Sequence, residues 1–399
     1  MPYKLAVVLS HPIQHFAPQF RSWTRRQDVT IKVFYASTAG WHAYKDPNFD
    51  RVISWGAGIL DGYESVFLNG TNELPRSINA RLDAPSLAQH LEEFGPDGML
   101  IFGYAHLLEH RARFWARRNN VQLIYVADSE LRHRAGVELP RWKTTFLRWY
   151  LKPFQQILTV GQANEEYYRA LGISESRMTR MNFPIDIDLY QSVYESNQDL
   201  RSATRRKLKA NLETVVVLMV GKVNERKRQL DLVNAVENLD PSCDVQLWIA
   251  GTGAGYDQIA AMKFSGEADR TQLLGFVEPS DLPAIYLAAD IYAHSSSMDP
   301  HPLAVTEATF MGKPAIVSSS CGNWGLDDDV QPRVNGYVYS TGDVSELAST
   351  LENLVENPDL RATMGEESRR IALRFQATSH GDFFPQLLFR LWGSTATTR

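Results

Sequence analysis

The chain has 399 residues, of which 44% are hydrophobic and 22% are charged, and its net charge is −5. This length predicts two domains, and the composition is that of a globular protein. The negative charge argues against a general nucleic-acid binder, which needs surplus Lys and Arg to follow phosphates. Two distant cysteines, Cys243 and Cys321, provide no disulfide framework and suit a reducing compartment.

The start of the chain, MPYKLAVVLSHP, contains one short apolar run and predicts a first strand rather than a secretory signal. No window approaches the roughly 18 consecutive apolar residues that would cross a bilayer. We therefore expect a cytoplasmic protein, and peripheral contact with the inner face of a membrane stays open.

Short apolar runs alternate with amphipathic stretches along the first half. Runs that are apolar throughout predict parallel strands covered on both faces. They lie at 4–10, 31–37, 98–104, 121–128 and 156–161. The stretches between them, such as SLAQHLEEF, predict helices. This alternation predicts a doubly wound α/β domain.

The same pattern restarts in the second half. Its predicted strands lie at 214–222, 245–253, 272–277, 290–296, 314–319 and 336–340, with helices such as 256–264 between them. The predicted division is a first domain at 1–185, a polar connection at 186–213, a second domain at 214–375 and a terminal helix and tail at 376–399. That helix packs either on its own domain or back on the first.

Two carboxylates follow the predicted strand 290–296. Asp299 lies in the loop after that strand, and Glu307 lies in the first turns of a helix expected to begin at about Leu303. Two doubly wound domains bind ligands where the carboxyl ends of their strands face one another. Both acids could therefore face one cleft, although Asp299 could instead cap the helix.

Three motifs of the second half resemble a known family. They are VGKVNERKRQLDLVNA, LLGFVEPSDLPAIYLAADIYAHSS, and DPHPLAVTEATFMGKPAIVSSSCG with the later VNGYVYSTGDVSELA. In this order they are similar to the nucleotide-sugar domain of glycosyltransferase family 4, whose members are retaining enzymes of the GT-B fold. The first half is similar, more loosely, to bacterial members that build cell-surface polysaccharides, through LSHPIQHFAPQFR, DPNFDRVISWGAGILDGYE and TVGQANEEYYRALGI.

The resemblance implies two Rossmann-like domains that face each other across a cleft. It implies transfer of a sugar from a UDP- or GDP-linked donor to a hydroxyl of a saccharide or lipid-linked saccharide, with no metal and no cofactor. A non-catalytic nucleotide- or glycan-binding member is the alternative. A nicotinamide enzyme is disfavoured, because SHPIQH stands where Gly-x-Gly-x-x-Gly should follow the first strand.

The resemblance also implies a donor site. Lys222, in place of the usual Arg, and Lys227 would hold the diphosphate, unless they belong to a solvated run of charges. Glu307 would accept hydrogen bonds from the ribose, and Asp299, shorter than the usual Glu, would meet the donor sugar. The backbone at the start of the helix that contains Glu307, at His301, Pro302 and Leu303, is expected near the diphosphate, and the backbone around Phe276 and Val277 is expected to meet the edge of the base.

On the first domain, His11 and His15 are candidates for contact with the donor or the acceptor, or are structural histidines. Asp128 stands at a strand end where many relatives carry His, and it could take the proton of the acceptor hydroxyl or cap the next segment. The expected catalytic set is thus Asp128, Asp299, Lys222 and Lys227.

The stretch 132–152 interleaves basic and aromatic residues. It fits either an anionic membrane surface or a helix packed on its own domain.

Overall fold

A computed structural model describes residues 1–46, 51–53, 56–69, 82–134, 136–262 and 270–392. Parts of four predicted features lie outside these ranges. They are the end of the helix at 256–264, the tail at 393–399, residue 135 of the stretch 132–152, and part of the first-half segment DPNFDRVISWGAGILDGYE.

The first part of the chain forms a parallel sheet covered by helices. Its elements are β1 (Tyr3–Leu9), α1 (Phe16–Thr24), β2 (Val29–Tyr35), β3 (Tyr44–Asp46), β4 (Arg51–Ile53), β5 (Ser65–Phe67), α2 (Leu87–Phe94), β6 (Gly98–Phe102), α3 (Leu107–Arg118), β7 (Gln122–Val126), α4 (Arg141–Leu151), β8 (Gln156–Thr159), α5 (Gln162–Ala170) and β9 (Met178–Arg180). The sheet order is β5-β2-β1-β6-β7-β8-β9, while β3 and β4 form a separate antiparallel pair.

The second part repeats this architecture. Its elements are α6 (Ile187–Lys207), β10 (Val215–Val220), α7 (Gln229–Glu237), β11 (Val245–Ala250), α8 (Tyr256–Ala260), β12 (Thr271–Gly275), α9 (Leu282–Ala288), β13 (Ile291–His294), α10 (Leu303–Phe310), β14 (Ala315–Ser318), β15 (Gly336–Tyr339), α11 (Val344–Glu356), α12 (Pro358–Ala377) and α13 (Phe384–Trp392). The sheet order is β12-β11-β10-β13-β14-β15, with parallel pairing throughout.

Every strand predicted from an apolar run is present, since strands buried on both faces carry a strong sequence signal. Every residue of β10 is buried, for example. The strands that the sequence did not predict, β3, β4, β5 and β9, have three residues each. Such short strands hold too few side chains to show a period.

The polar segment predicted as a connection contains the helix α6, which belongs to the second core. Its N-terminus is capped by Asp186, whose side chain accepts a hydrogen bond from the backbone N–H of Leu189 at 3.2 Å. On the buried side, the ring of Tyr190 lies 6.1 Å from that of Tyr286 and 6.4 Å from that of Phe310. A few large side chains anchor this helix, which explains its weak periodicity.

The terminal helix α13 lies against the first domain. The chain turns at Gly381, whose φ of 138° suits a residue without Cβ. Beyond the turn, Phe384 enters the core around α1, with its ring 5.2 Å from that of Trp23. The chain therefore crosses between the domains a second time. Within the described ranges, no helix has both the length and the apolar character needed to span a bilayer.

Candidate functional site

The two sheets reverse their strand order at equivalent places. Strand β1 has β2 on one side and β6 on the other, and β10 lies likewise between β11 and β13. Ligands of doubly wound folds bind beside such points, at the carboxyl ends of the strands. Residues that follow β1, β10 and β13 border one cavity of about 530 Å³. This cavity is the candidate site.

Most of the predicted residues meet there. The cavity is lined by His15, Lys222, Lys227, Phe276, Val277, Asp299, His301, Pro302, Leu303 and Glu307. Two predicted residues, His11 and Asp128, are not part of the lining. The sequence therefore indicated the second-domain wall more fully than the first-domain wall.

The basic loop after β10 is shaped by its neighbours. Asn224 caps a short turn, since its side chain accepts a hydrogen bond from the backbone N–H of Lys227 at 3.1 Å. A Cβ at Gly251 would lie 1.9 Å from the carbonyl oxygen of Gly221, so the glycine-rich segment 251–255 after β11 lets two loops meet at backbone distance. This packing sets the path of the loop that carries both predicted lysines.

Asp299 is held by two donors. The Nζ of Lys227 and the Nε2 of His294 both lie within hydrogen-bond distance of its Oδ2, the latter at 2.9 Å. Burial disfavours the charged carboxyl, but His294 and Lys227 outweigh it and hold the pKa of Asp299 well below its usual range. The N-cap of α10 is Pro302 and has no side-chain cap bond, so the alternative in which Asp299 caps this helix is wrong.

His294 is a residue that the sequence reasoning missed. It is buried at the end of β13, and its Nδ1 lies 3.1 Å from the hydroxyl of Tyr292. Burial and then the charge of Lys227 lower the pKa of His294, which favours the neutral ring. The available signal was a histidine that ends an apolar strand just before a predicted ligand loop.

Glu307 lies among tyrosines that were also missed. The hydroxyl of Tyr286 donates a hydrogen bond to Glu307 Oε2 at 2.8 Å. Burial raises the pKa of Glu307 to about 7, although hydrogen bonds from Tyr286 and Tyr190 oppose this rise. The carboxyl is thus poised between its neutral and charged forms near neutral pH.

The first-domain wall contains an aromatic stack that continues into the second domain. The ring of His15 lies 5.1 Å from that of Phe183, which stacks in turn on His301 at 5.0 Å. Burial lowers the pKa of His15 to about 3, so its ring is neutral at working pH. Among the described residues, the buried Nε2 of His15 has no hydrogen-bond partner.

Asp128 follows β7 and is exposed. The protein atoms around it nevertheless desolvate the carboxyl and raise the pKa of Asp128, and the charge of Asp299 adds to this rise while that of His301 opposes it. It is therefore close enough to feel the second-domain wall. His11 lies next to the loop start, with its Nδ1 at 2.8 Å from the hydroxyl of Ser10.

A buried group of His301, Asp328 and Asp329 joins the domains. Their potential metal-ligand atoms lie within 4.8 Å of one another. Each already has a protein partner: His301 Nε2 lies 3.2 Å from Asp329, and Thr306 donates to the same carboxylate at 2.6 Å. The backbone N–H of Gln162, in the first domain, donates to Asp328 at 2.6 Å. The group thus serves as a polar contact between domains.

Residues 201–371 match the family of group 1 glycosyl transferases. A D-inositol 3-phosphate glycosyltransferase of Salinispora arenicola is 29% identical over 202 residues, which are 48% of this chain and 44% of the relative. A GDP-mannose-dependent monoacylated alpha-(1-6)-phosphatidylinositol monomannoside mannosyltransferase of Corynebacterium glutamicum is 29% identical over 49% of this chain and 51% of its own. The matches thus span about half the length of these curated relatives.

Structure comparison extends over nearly the whole chain. HepE of Anabaena, solved in complex with UDP-glucose, matches with a TM-score of 0.70 over 96% of this chain and 99% of its own, at 20% identity. At this identity the likeness shows the fold alone. Two parallel sheets in an α/β arrangement agree with it. The chain therefore has the GT-B fold, and its residues 201–371 are similar in sequence to the group 1 glycosyl transferases.

Proposed function

We propose that this protein is a retaining glycosyltransferase that moves a sugar from a UDP- or GDP-linked donor to an acceptor hydroxyl. The observation that carries the proposal is the convergence of Lys222, Lys227, Asp299 and Glu307 on one cavity at the carboxyl ends of two sheets. The names of the relatives support a glycosyltransferase, and that of the mannosyltransferase supports a nucleoside-diphosphate sugar as donor.

In this proposal, the basic loop after β10 stabilises the leaving group. A diphosphate gains negative charge as the bond to the sugar breaks, and fixed cations that meet this charge lower the barrier. Lys222 and Lys227 supply them, and the backbone amides at the start of α10, from Leu303 onward, add the positive end of a helix. Asp299 accepts a hydrogen bond from a hydroxyl of the donor sugar.

The nucleoside lies beyond the diphosphate in this proposal. A carboxylate with two acceptor oxygens suits the two ribose hydroxyls, so Glu307 binds the ribose in its charged form. The segment at Phe276 and Val277, after β12, meets the base.

The acceptor approaches from the first-domain wall. His15 borders the cavity, while Asp128 and His11 are not part of its lining, and Asp128 is close enough to His301 and Asp299 to feel their charges. The raised pKa of Asp128 suits a group that takes a proton from a hydroxyl. We propose a saccharide acceptor, in cell-surface polysaccharide or glycoconjugate synthesis.

No metal is part of the proposal. The lysines and the helix start provide the positive charge that a metal would otherwise supply. The described group that resembles a metal site, formed by His301, Asp328 and Asp329, is engaged in contacts between the domains.

A lipid-linked acceptor and contact with a membrane's inner face are further parts of the proposal. The helix α4 buries Leu147, Tyr150 and Leu151, and its opposite face carries Trp142 and Trp149, which are 72% and 55% exposed. Exposed basic residues accompany them at Arg141, Arg148 and Lys152. Tryptophan beside basic residues suits the headgroup layer of an anionic bilayer.

Vesicle binding tests the membrane part. Sedimentation with phosphatidylglycerol vesicles, compared with neutral phosphatidylcholine vesicles, should retain the wild type, and a Trp142→Ala, Trp149→Ala double variant should lose most of this retention. Phe389→Ala, which removes a 64% exposed aromatic residue of α13, is the control and should bind like the wild type. Equal retention of both variants would contradict the assigned face.

Release of nucleoside diphosphate from a panel containing UDP-glucose and GDP-mannose tests the central proposal. One donor should be turned over, and its binding should raise the melting temperature by mass action. The anomeric configuration of the product, compared with that of the donor, shows whether the transfer is retaining. Nucleotide binding without turnover against any acceptor would favour the non-catalytic alternative, while the absence of binding would remove the proposed site.

A further inference from the structure

A chain of hydrogen-bonding groups leads from the core to the candidate site. The hydroxyl of Tyr292 lies 3.1 Å from Nδ1 of His294, whose Nε2 lies 2.9 Å from Oδ2 of Asp299. The Nζ of Lys227 donates to the same oxygen and lies 3.5 Å from the His294 ring nitrogen. The His294 side chain has no exposed surface, and that of Asp299 is 13% exposed.

Lys227 is assigned to two different anions. In the structure it pairs with Asp299, whereas the proposed function assigns it to the diphosphate of the donor. A flexible, four-carbon side chain can turn from one anion to the other. A buried carboxylate that loses its cation becomes costly, because an uncompensated charge in a poorly solvated place is destabilised. Asp299 therefore needs a partner that stays.

His294 has the features of that lasting partner. Its ring ends β13, so the strand fixes its backbone, and it stacks on the ring of Tyr292 with centroids 6.1 Å apart. With a neutral ring, Tyr292 donates to Nδ1 and Nε2–H donates to Asp299. With a protonated ring, Nδ1–H donates to the Tyr292 oxygen, and that hydroxyl can turn to the carbonyl oxygen of Val220 at 3.4 Å. Both states leave Nε2–H on Asp299.

We propose that His294 is a positioning residue that keeps the Asp299 carboxylate ionised and directed at the donor sugar while Lys227 turns to the diphosphate. This inference rests on the proposed function and adds to it a residue that acts through Asp299. Besides Asp299 and Tyr292, the charged groups that act on the ring are Lys227 and Arg226. As Lys227 moves away, the field that disfavours a protonated ring weakens, so His294 can also supply the missing positive charge.

The test compares pH profiles of turnover. Release of nucleoside diphosphate from UDP-glucose, or from GDP-mannose if the panel selects it, is measured between pH 5 and 9 for the wild type, His294→Gln and His294→Leu. The leucine variant should lower kcat about tenfold to hundredfold, the range for one lost hydrogen bond to a charged group, with little change in the donor's KM. At saturating donor, its acidic limb should appear at higher pH, with kcat falling more steeply toward pH 5 than in the wild type, because Asp299, whose pKa the wild type holds well below this range, loses the donor that most favours its charged form.

Glutamine retains an N–H donor and should restore much of kcat and most of the wild-type acidic limb. Tyr292→Phe, which removes only the outer hydroxyl, should move the limb in the same direction by less, and it replaces the leucine variant if that variant does not fold.

The outcomes separate the two proposals. A wild type that turns over donor, with His294 and Tyr292 variants whose acidic limbs coincide with it, overturns the positioning role alone. A fall in kcat with an unmoved limb does the same, since it indicates only structural support. A wild type that turns over no donor overturns the proposed function, and the inference falls with it.

Discussion

The two walls of the cavity differ in how their polar groups are satisfied. On the second-domain wall, Asp299 is paired with Lys227 and His294, and Glu307 accepts a hydrogen bond from Tyr286. On the first-domain wall, the Nε2 of His15 is buried without a partner among the described residues. The carboxylates of the second-domain wall are thus already satisfied, whereas the aromatic stack of the first-domain wall, with the His301 ring that continues it, leaves buried nitrogens without a described partner beside the cavity.

The two walls are therefore expected to act differently when a ligand binds. On the second-domain wall, His294 and Tyr286 hold the carboxyl groups of Asp299 and Glu307 in place, and Lys227 is the group that turns when a diphosphate arrives. A buried nitrogen without a partner costs free energy that a ligand hydroxyl would recover. We therefore expect the second-domain wall to determine donor affinity, and the first-domain wall to affect turnover and acceptor choice.

Removal of the central cation should have the largest effect. Lys227→Ala takes away the proposed diphosphate contact and leaves Asp299 with His294 as its remaining donor. Nucleotide affinity should fall about a hundredfold, in the range of a truncated charge pair of this burial. Isothermal titration measures this change.

The matched control is Lys207→Ala, which removes an exposed lysine from the end of α6 and should leave affinity unchanged. If both alanine variants bind nucleotide like the wild type, Lys227 does not contact the diphosphate, and the assignment of the donor to the second-domain wall is wrong.

The second-domain wall could be predicted from the sequence, because the family motifs and the order of the strands place the same residues there. Apolar runs located the strands, and the acids and lysines follow those runs directly, so parallel pairing alone brings them to one edge. Partners within the core could not be predicted in this way. Tyr190 reaches Glu307 from α6, a helix hidden in a polar segment, and Tyr286 comes from α9. These contacts depend on packing between elements distant in sequence.

The first-domain wall shows which features of the site could not be predicted from the sequence. His15 was a candidate by its place after β1, but its neutral state follows from burial beside Phe183 and His301, which reach it from two other segments. Similarly, the contact between Asp328 and the start of α5 joins residues 166 positions apart. No local pattern in the sequence specifies such a contact.

The second prediction concerns the pH dependence of donor binding. If the ribose requires a charged Glu307, nucleotide affinity should rise about tenfold from pH 6 to pH 8, because the carboxyl ionises over this interval. Glu307→Gln should bind more weakly at pH 8 and show no such rise. Titration with UDP-glucose is suitable, since its diphosphate does not ionise in this range. A wild-type affinity that is flat across the interval would contradict the ribose assignment.

The same carboxyl predicts a stability change in protein without added nucleotide. The folded state binds the Glu307 proton more tightly than the unfolded state, so the contribution is full below about pH 4.5 and is lost as pH rises through about 7. The loss amounts to about 3 kcal/mol in the free energy of unfolding. Urea unfolding at pH 5 and pH 8 measures it, and in Glu307→Gln the difference between the two pH values should shrink.

The smallest expected effect on donor binding comes from His15. His15→Phe keeps an aromatic ring beside Phe16 and Phe183 and removes the nitrogen that has no described partner. Removing an unsatisfied buried polar atom should raise the free energy of unfolding by roughly 1 kcal/mol, and nucleotide affinity should stay within about threefold of the wild type. Turnover should nevertheless fall, because the ligand hydroxyl that this nitrogen would meet loses its acceptor. Thermal unfolding, titration and nucleoside diphosphate release separate these quantities, and His15→Asn, which retains a polar atom, is the control. A variant that is more stable and equally active would mean that His15 only packs, and that the difference between the two walls has no part in the transfer.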